Sequence, residues 1–228
     1  MLAGMRFGVV RFPGTCDEID ALRACAAVGD AQLLWHGEAD LKGSDAIVIP
    51  GGFSYGDYLR VGALARLSPV MGEVAKFAAA GGPVLGICNG FQILAEAGLV
   101  PGALLPNLSL RFVCREVDLV VATNRTPFTS TTSVGDSLSI PAKHRCGRYY
   151  VPDEQLPELV ANDQILFRYA DGQNPNGSLD DIAGVCNVAG NVAGLMPHPE
   201  HAVDALLGSI DGLKLFDGAA ASVAPAAA

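Results

Sequence analysis

Short apolar runs alternate with stretches of helical periodicity through the first hundred residues. Residues 6–10, 31–35, 46–49 and 84–87 read as strands, and 17–28, 67–80 and 90–97 as helices. Strand and helix in alternation predict βαβ units and a parallel sheet. The unbroken apolar run Ala46-Ile47-Val48-Ile49 fits a strand covered on both faces. Phe12-Pro13-Gly14, Pro50-Gly51-Gly52 and Gly86-Ile87-Cys88 then lie at the carboxyl ends of strands, where open α/β sheets place their ligands.

Beyond Asn107 the pattern changes. Residues 112–122, 137–143 and 165–170 are strand-like and separated by turn signals such as Asn174-Pro175-Asn176-Gly177, which predicts an antiparallel extension. A core-like strand returns at 191–196, Pro197-His198-Pro199-Glu200 follows it, and 203–210 reads as a short helix. The expected architecture is one domain over 1–217, an open, mostly parallel α/β sheet flanked by helices with an antiparallel extension. The Ala-rich, uncharged segment 218–228 reads as a disordered tail.

Composition narrows the function. Half of the 228 residues are apolar and only 17% are charged, enough to bury a sizeable core. A formal charge of −9 argues against nucleic acid or an anionic membrane surface as partner. No segment approaches the roughly 20 apolar residues needed to cross a bilayer, and residues 1–10 lack an export signal. The six cysteines form no C-x-x-C pair, which reads as reduced thiols of a cytoplasmic protein, with no zinc pattern and no expected metal.

The run Gly86-Ile87-Cys88-Asn89-Gly90 puts a cysteine on a strand-to-helix turn between small residues, the spacing of a nucleophile elbow. Such a turn projects the sulfur into a cleft, and the helix N-terminus behind it favours the reactive thiolate. A thiol nucleophile also needs a base that later protonates the departing amine. Of four histidines, His198 follows a predicted strand, and Pro199 holds it extended so that Glu200, two residues on, faces the same side and orients the ring. Cys88, His198 and Glu200 are therefore the candidate nucleophile, base and orienting group. The backbone amides of Gly52 and Asn89 are candidate oxyanion donors; Phe53 and Gln92, in the same two runs, are assigned with them to substrate contact. Cys16, after its own Gly-containing turn, is the nearest rival thiol. His36 and His201 read as structural, and His144 as part of a solvated basic loop.

Together these runs, with Phe12-Pro13-Gly14, Phe53-Ser54-Tyr55-Gly56-Asp57 and Asn174-Pro175-Asn176-Gly177-Ser178, resemble the class I glutamine amidotransferases over nearly the whole chain. The resemblance is greatest to those that act as glutaminase subunits in purine synthesis. It implies a flavodoxin-like sheet, a Cys88-His198-Glu200 triad, L-glutamine as substrate, and ammonia passed to a large synthase subunit with a small accessory subunit. No cofactor is expected in this chain, which lacks a Walker-type loop; ATP and magnesium are expected to be used by the partner. Where the family typically has a His-Gly-Glu-Gly-like loop, this chain reads His144-Arg145-Cys146-Gly147, which reverses local charge. Two alternatives stay open: a cysteine peptidase-like or deglycase-like hydrolase of similar fold, and a non-catalytic binding subunit.

Overall fold

The computed structural model describes residues 4–223. In chain order the elements are β1 (Arg6–Arg11), α1 (Glu18–Ala26), β2 (Asp30–Trp35), β3 (Ala46–Ile49), α2 (Pro69–Ala79), β4 (Val84–Ile87), α3 (Asn89–Glu96) and β5 (Ala103–Leu105). They continue with β6 (Val113–Val121), β7 (Ser137–His144), β8 (Arg148–Tyr150), α4 (Leu156–Ala161), β9 (Ile165–Tyr169), β10 (Ile182–Cys186), β11 (Val192–Leu195) and α5 (Leu213–Val223). Nine strands form one sheet in the order β2-β1-β3-β4-β11-β10-β9-β6-β7. Pairing is parallel from β2 through β11 and antiparallel from β11 through β7, the expected extension. β5 and β8 make a separate antiparallel ribbon.

Why these residues take these forms follows from burial. β3 and β4 are buried along their whole length, as strands covered on both faces must be. α2 opens on Pro69, whose missing N–H costs nothing at a helix start. Between β1 and β3 the order of connection reverses, the point at which open α/β sheets place their ligands. The loops leaving these two strands are tied to each other by a backbone bridge between Thr15 and Gly52. β11 pairs with β4 in the register Gly86 to Gly194 and Ile87 to Leu195, so the residues after both strands leave the sheet side by side. Glycine at 194 is required because a Cβ there would overlap the Phe91 ring.

Two expectations are corrected. Segment 203–210 is not an α-helix: only a 3-10 turn, Ala205–Leu207, forms, and it stops at Gly208 with φ 111°. Leu206 is 93% exposed, so no apolar face is there to dock such a helix. The segment beginning at 218 is instead the second half of α5 as far as Val223. Alanine has the highest helix propensity, and Ala219 is fully buried with Gly218 packed against the Pro127 carbonyl. Residues 224–228 of the expected tail lie outside the described residues. No helix among the described residues is long and apolar enough to cross a membrane.

Burial of this helix end is open to a direct check. Ala219→Asp should lower stability by about 3 kcal/mol, because it places an unpaired carboxylate in the core. A urea midpoint equal to that of the wild type would contradict the packed helix.

Candidate active site

Cys88 links β4 to α3 with φ 50° and ψ −103°, a conformation that residues with a side chain rarely adopt. Hydrogen bonds on both sides hold it there: the Cys88 amide donates to the Leu195 carbonyl at 2.8 Å, and the Gln92 amide donates to the Cys88 carbonyl at 3.1 Å. The flanking glycines are steric necessities. A Cβ on Gly90 would overlap the Ile49 carbonyl, and one on Gly86 would come within 2.6 Å of Leu94. The thiol is 6% exposed and lies 3.7 Å from the Lys143 carbonyl. It sits in a cleft of about 710 Å³.

His198 enters the same cleft from the end of β11, its amide donating to the Pro141 carbonyl of β7 at 2.8 Å. Its Nδ1 donates to Glu200 Oε1 at 2.5 Å, and both side chains are essentially unexposed. The route differs from the extended chain expected, since Pro199–His201 is a 3-10 turn that folds Glu200 back under the ring. Proline fits the first position of that turn because no N–H is needed there. Burial alone would keep the imidazole neutral, but the charges of Glu200 and Cys88 and the hydrogen bond to Glu200 raise its pKa well above the usual value. Nε2 is buried with no conventional hydrogen-bond partner.

Asp17 joins this group without having been anticipated. It stands at the N-cap of α1 yet makes no capping bond. Its carboxylate instead meets Lys143 Nζ at 2.6 Å, His201 Nε2 at 3.3 Å and His198 Nδ1 at 3.7 Å. Burial would raise the Asp17 carboxyl, but His201, His198 and Lys143 outweigh that and hold it well below 3.8. His201, read as structural, thus belongs to the same charge network. Asp17, His198, Glu200 and His201 bring donor atoms within 4.8 Å of one another. With the Lys143 ammonium on Asp17 and a protonated His198, the cluster is already charge-compensated and suits a proton network better than a cation. Gly51 makes room for it, because a Cβ there would press on Asp17 and His198.

The remaining sequence candidates divide by what their atoms do. Gly52 has φ 143°, and its N–H has no acceptor among the described residues. Asn89 is the first residue of α3, where amides lack an intrahelical partner. The Phe53 amide is taken by the Gly14 carbonyl at 2.8 Å, so Phe53 offers the cleft its half-exposed ring rather than a free donor. Asn89 Oδ1 accepts from the Ser54 amide at 3.1 Å, Asn89 Nδ2 donates to Gln92 Oε1 at 2.9 Å, and Gln92 Nε2 donates to the Cys146 carbonyl at 2.5 Å. This string ties the glycine loop, the elbow helix and the 145–146 turn into one wall. Cys16 also lines the cleft, on the side of Asp17.

His144 corrects the solvated-loop reading. It ends β7, is 3% exposed and accepts from Asn176 Nδ2 at 3.0 Å, with burial and the His198 charge pushing its pKa down to about 3. His36, read as structural, has its Nδ1 bonded to the Tyr55 hydroxyl at 2.8 Å.

An α/β sheet with a cysteine elbow and a buried His–Glu pair at its carboxyl edge defines a class of cysteine-dependent amidotransferases and hydrolases. Residues 5–214 match the family described as the CobB/CobQ-like glutamine amidotransferase domain. A Mycobacterium bovis relative named phosphoribosylformylglycinamidine synthase subunit PurQ is 58% identical over 213 residues, covering 92% of this chain and 94% of the relative. The Salinibacter ruber protein of the same name is 53% identical, covering 93% and 94%. Among solved structures, a chain of PurLQS from Thermotoga maritima superposes with a TM-score of 0.89 at 42% identity, covering 96% of this chain and 99% of that one. The chain belongs to the glutamine amidotransferases and, within them, to the PurQ family.

Asp17 supplies the test of the network. Asp17→Ala should cost roughly 3 kcal/mol at neutral pH, since it strands the partly buried Lys143 ammonium. The depressed carboxyl contributes stability above about pH 4 that is lost as the pH falls and the group protonates. The gap between wild type and variant in urea unfolding should therefore narrow progressively as the pH falls below about 4; a gap independent of pH would contradict the pairing.

Proposed function

We propose that this chain is a glutaminase subunit that hydrolyses L-glutamine to glutamate and ammonia, with Cys88 as nucleophile, His198 as proton carrier and Glu200 as its orienting partner. The observation that carries this reading is the buried His198–Glu200 pair, at 2.5 Å, beside a cysteine held on a strained turn. The Cys88 thiolate attacks the side-chain amide carbon, and the carbonyl electrons move onto an oxygen held by the Gly52 and Asn89 amides. Collapse of this intermediate expels the nitrogen, which takes the proton from His198 and leaves as ammonia. Water then attacks the thioester while His198 accepts its proton, releasing glutamate and restoring the thiolate.

Ammonia loses its nucleophilic lone pair when protonated in water, so a separate synthase must receive it directly. We assign that role to a large ATP- and magnesium-using subunit that converts phosphoribosylformylglycinamide to phosphoribosylformylglycinamidine in purine biosynthesis, with a small accessory subunit completing the complex. The names of the mycobacterial relative and of the Thermotoga maritima assembly support this placement. This chain contributes the glutaminase half without a cofactor of its own, and works in the cytoplasm.

A glutamine-shaped electrophile should label Cys88 in wild type, excess glutamine should suppress the labelling, and Cys88→Ala should abolish it in peptide mass maps. Label on another cysteine would overturn the assignment, and silence in the assembled complex would favour a binding subunit. Ammonia release by the complex should also fall about 100-fold or more in Glu200→Gln through kcat, with little change in KM. A rate equal to that of the wild type would remove Glu200 from the mechanism.

A further inference from the structure

The charged side chains around the cleft are almost all spoken for. Arg60 is bonded twice to Glu96, each contact at 2.6 Å, Lys143 is bonded to Asp17 at 2.6 Å, and His198 to Glu200 at 2.5 Å. Two lining residues are left: Asp57 and Arg145, neither of which has an ion pair or a side-chain hydrogen bond among the described residues. They are one anion and one cation.

Asp57 is placed with some force. It closes the turn Ser54–Asp57, in which Tyr55, Gly56 and Asp57 all have positive φ (53°, 68° and 56°), and Leu59 follows at 69°. Left-handed residues that bear side chains, here Tyr55, Asp57 and Leu59, store strain, and such strain gathers at ligand sites. The outcome is a carboxylate whose Oδ1 is buried without any partner. An unsatisfied buried acceptor is costly unless a ligand completes it. Burial also raises its carboxyl to about 6, which leaves it ionised at neutral pH and in want of a counter-charge.

Cys146 shows that the relevant groups surround one space. Burial raises its thiol pKa most, while the charge of Arg145 lowers it and those of Asp57 and Cys88 raise it, and all four residues line the same cleft. At about 710 Å³ the cleft is of a size that takes a small molecule.

We propose that Asp57 and Arg145 form a clamp for the two charges of a free α-amino acid, Asp57 accepting from the α-ammonium and Arg145 donating to the α-carboxylate, while the side-chain amide reaches Cys88. This deepens the glutaminase reading and rests on it. The clamp selects free glutamine against glutamine within a peptide, whose backbone offers neither charge. It also gives a purpose to Arg145, one of the residues at which this chain departs from the loop typical of its family.

The test uses iodoacetamide alkylation of Cys88, read by peptide mass mapping on the full chain, alone and assembled with its synthase subunit. Three protectants are compared: glutamine, 4-carbamoylbutanoate, which lacks the ammonium, and glutamine α-amide, which lacks the carboxylate. In wild type, glutamine should protect at concentrations about 10- to 100-fold below either analogue, the worth of one charge-assisted contact. Asp57→Asn should erase the advantage over 4-carbamoylbutanoate and keep that over the α-amide, and Arg145→Gln should do the reverse. Arg145 is exposed, so the second variant stands even where the first fails to fold. Unchanged ratios in the folded variants would overturn the clamp while leaving the glutaminase reading intact. Failure of glutamine to protect the wild type in either form would overturn both.

Discussion

Everything in the site depends on the parallel pairing of β11 with β4. That register sets Gly86 opposite Gly194 and Ile87 opposite Leu195, and it lets the Leu195 carbonyl accept from the Cys88 amide at 2.8 Å. One hydrogen bond thereby joins the turn that carries the nucleophile to the strand that delivers His198. A slip of one residue would turn every side chain on β11 to the opposite face and remove His198 from the cleft. The glycines make so close an approach feasible: Gly90 passes under the Ile49 carbonyl, and Gly194 under the Phe91 ring. With the neighbouring backbone this tight, Cys88 has no room to relax out of its left-handed conformation.

On this frame the charges are arranged as one unit. Asp17, Lys143, His198, Glu200 and His201 come from three separate parts of the chain and meet at the carboxyl edge of the sheet. Buried charges survive only when paired, and here each has a partner: the Asp17 carboxylate takes Lys143 and His201, and Glu200 takes His198. The consequence for chemistry is that His198 holds its proton despite full burial. A proton kept on the ring is a proton available to a leaving amine.

The parts of this arrangement legible in the sequence were those written locally. The βαβ rhythm, the glycine spacing around Cys88 and the three-residue span from His198 to Glu200 each fit inside a short window. Contacts formed across the sheet were not legible: Asp17 reaches Lys143 over 126 residues, and at a helix N-cap an Asp reads as a cap until its neighbours are known. His144 was misread because its neighbours in the sequence are basic, whereas its own ring is buried over Gly147 and against Asn176. The end of α5 was misread because alanine without charge is compatible with either a tail or a buried helix, and tertiary packing decided it.

The central claim is that His198 stands as an imidazolium held by Glu200 and Cys88, and nitrogen-15 NMR of the labelled imidazole across pH 5 to 11 tests it most directly. The account predicts that His198 in the wild type stays protonated well above the ordinary 6.5, and that its titration moves down when Glu200 is replaced by Gln or Cys88 by Ala. A wild-type His198 that titrates near 6.5, and does so equally in both variants, would contradict the ionised unit on which the mechanism is built.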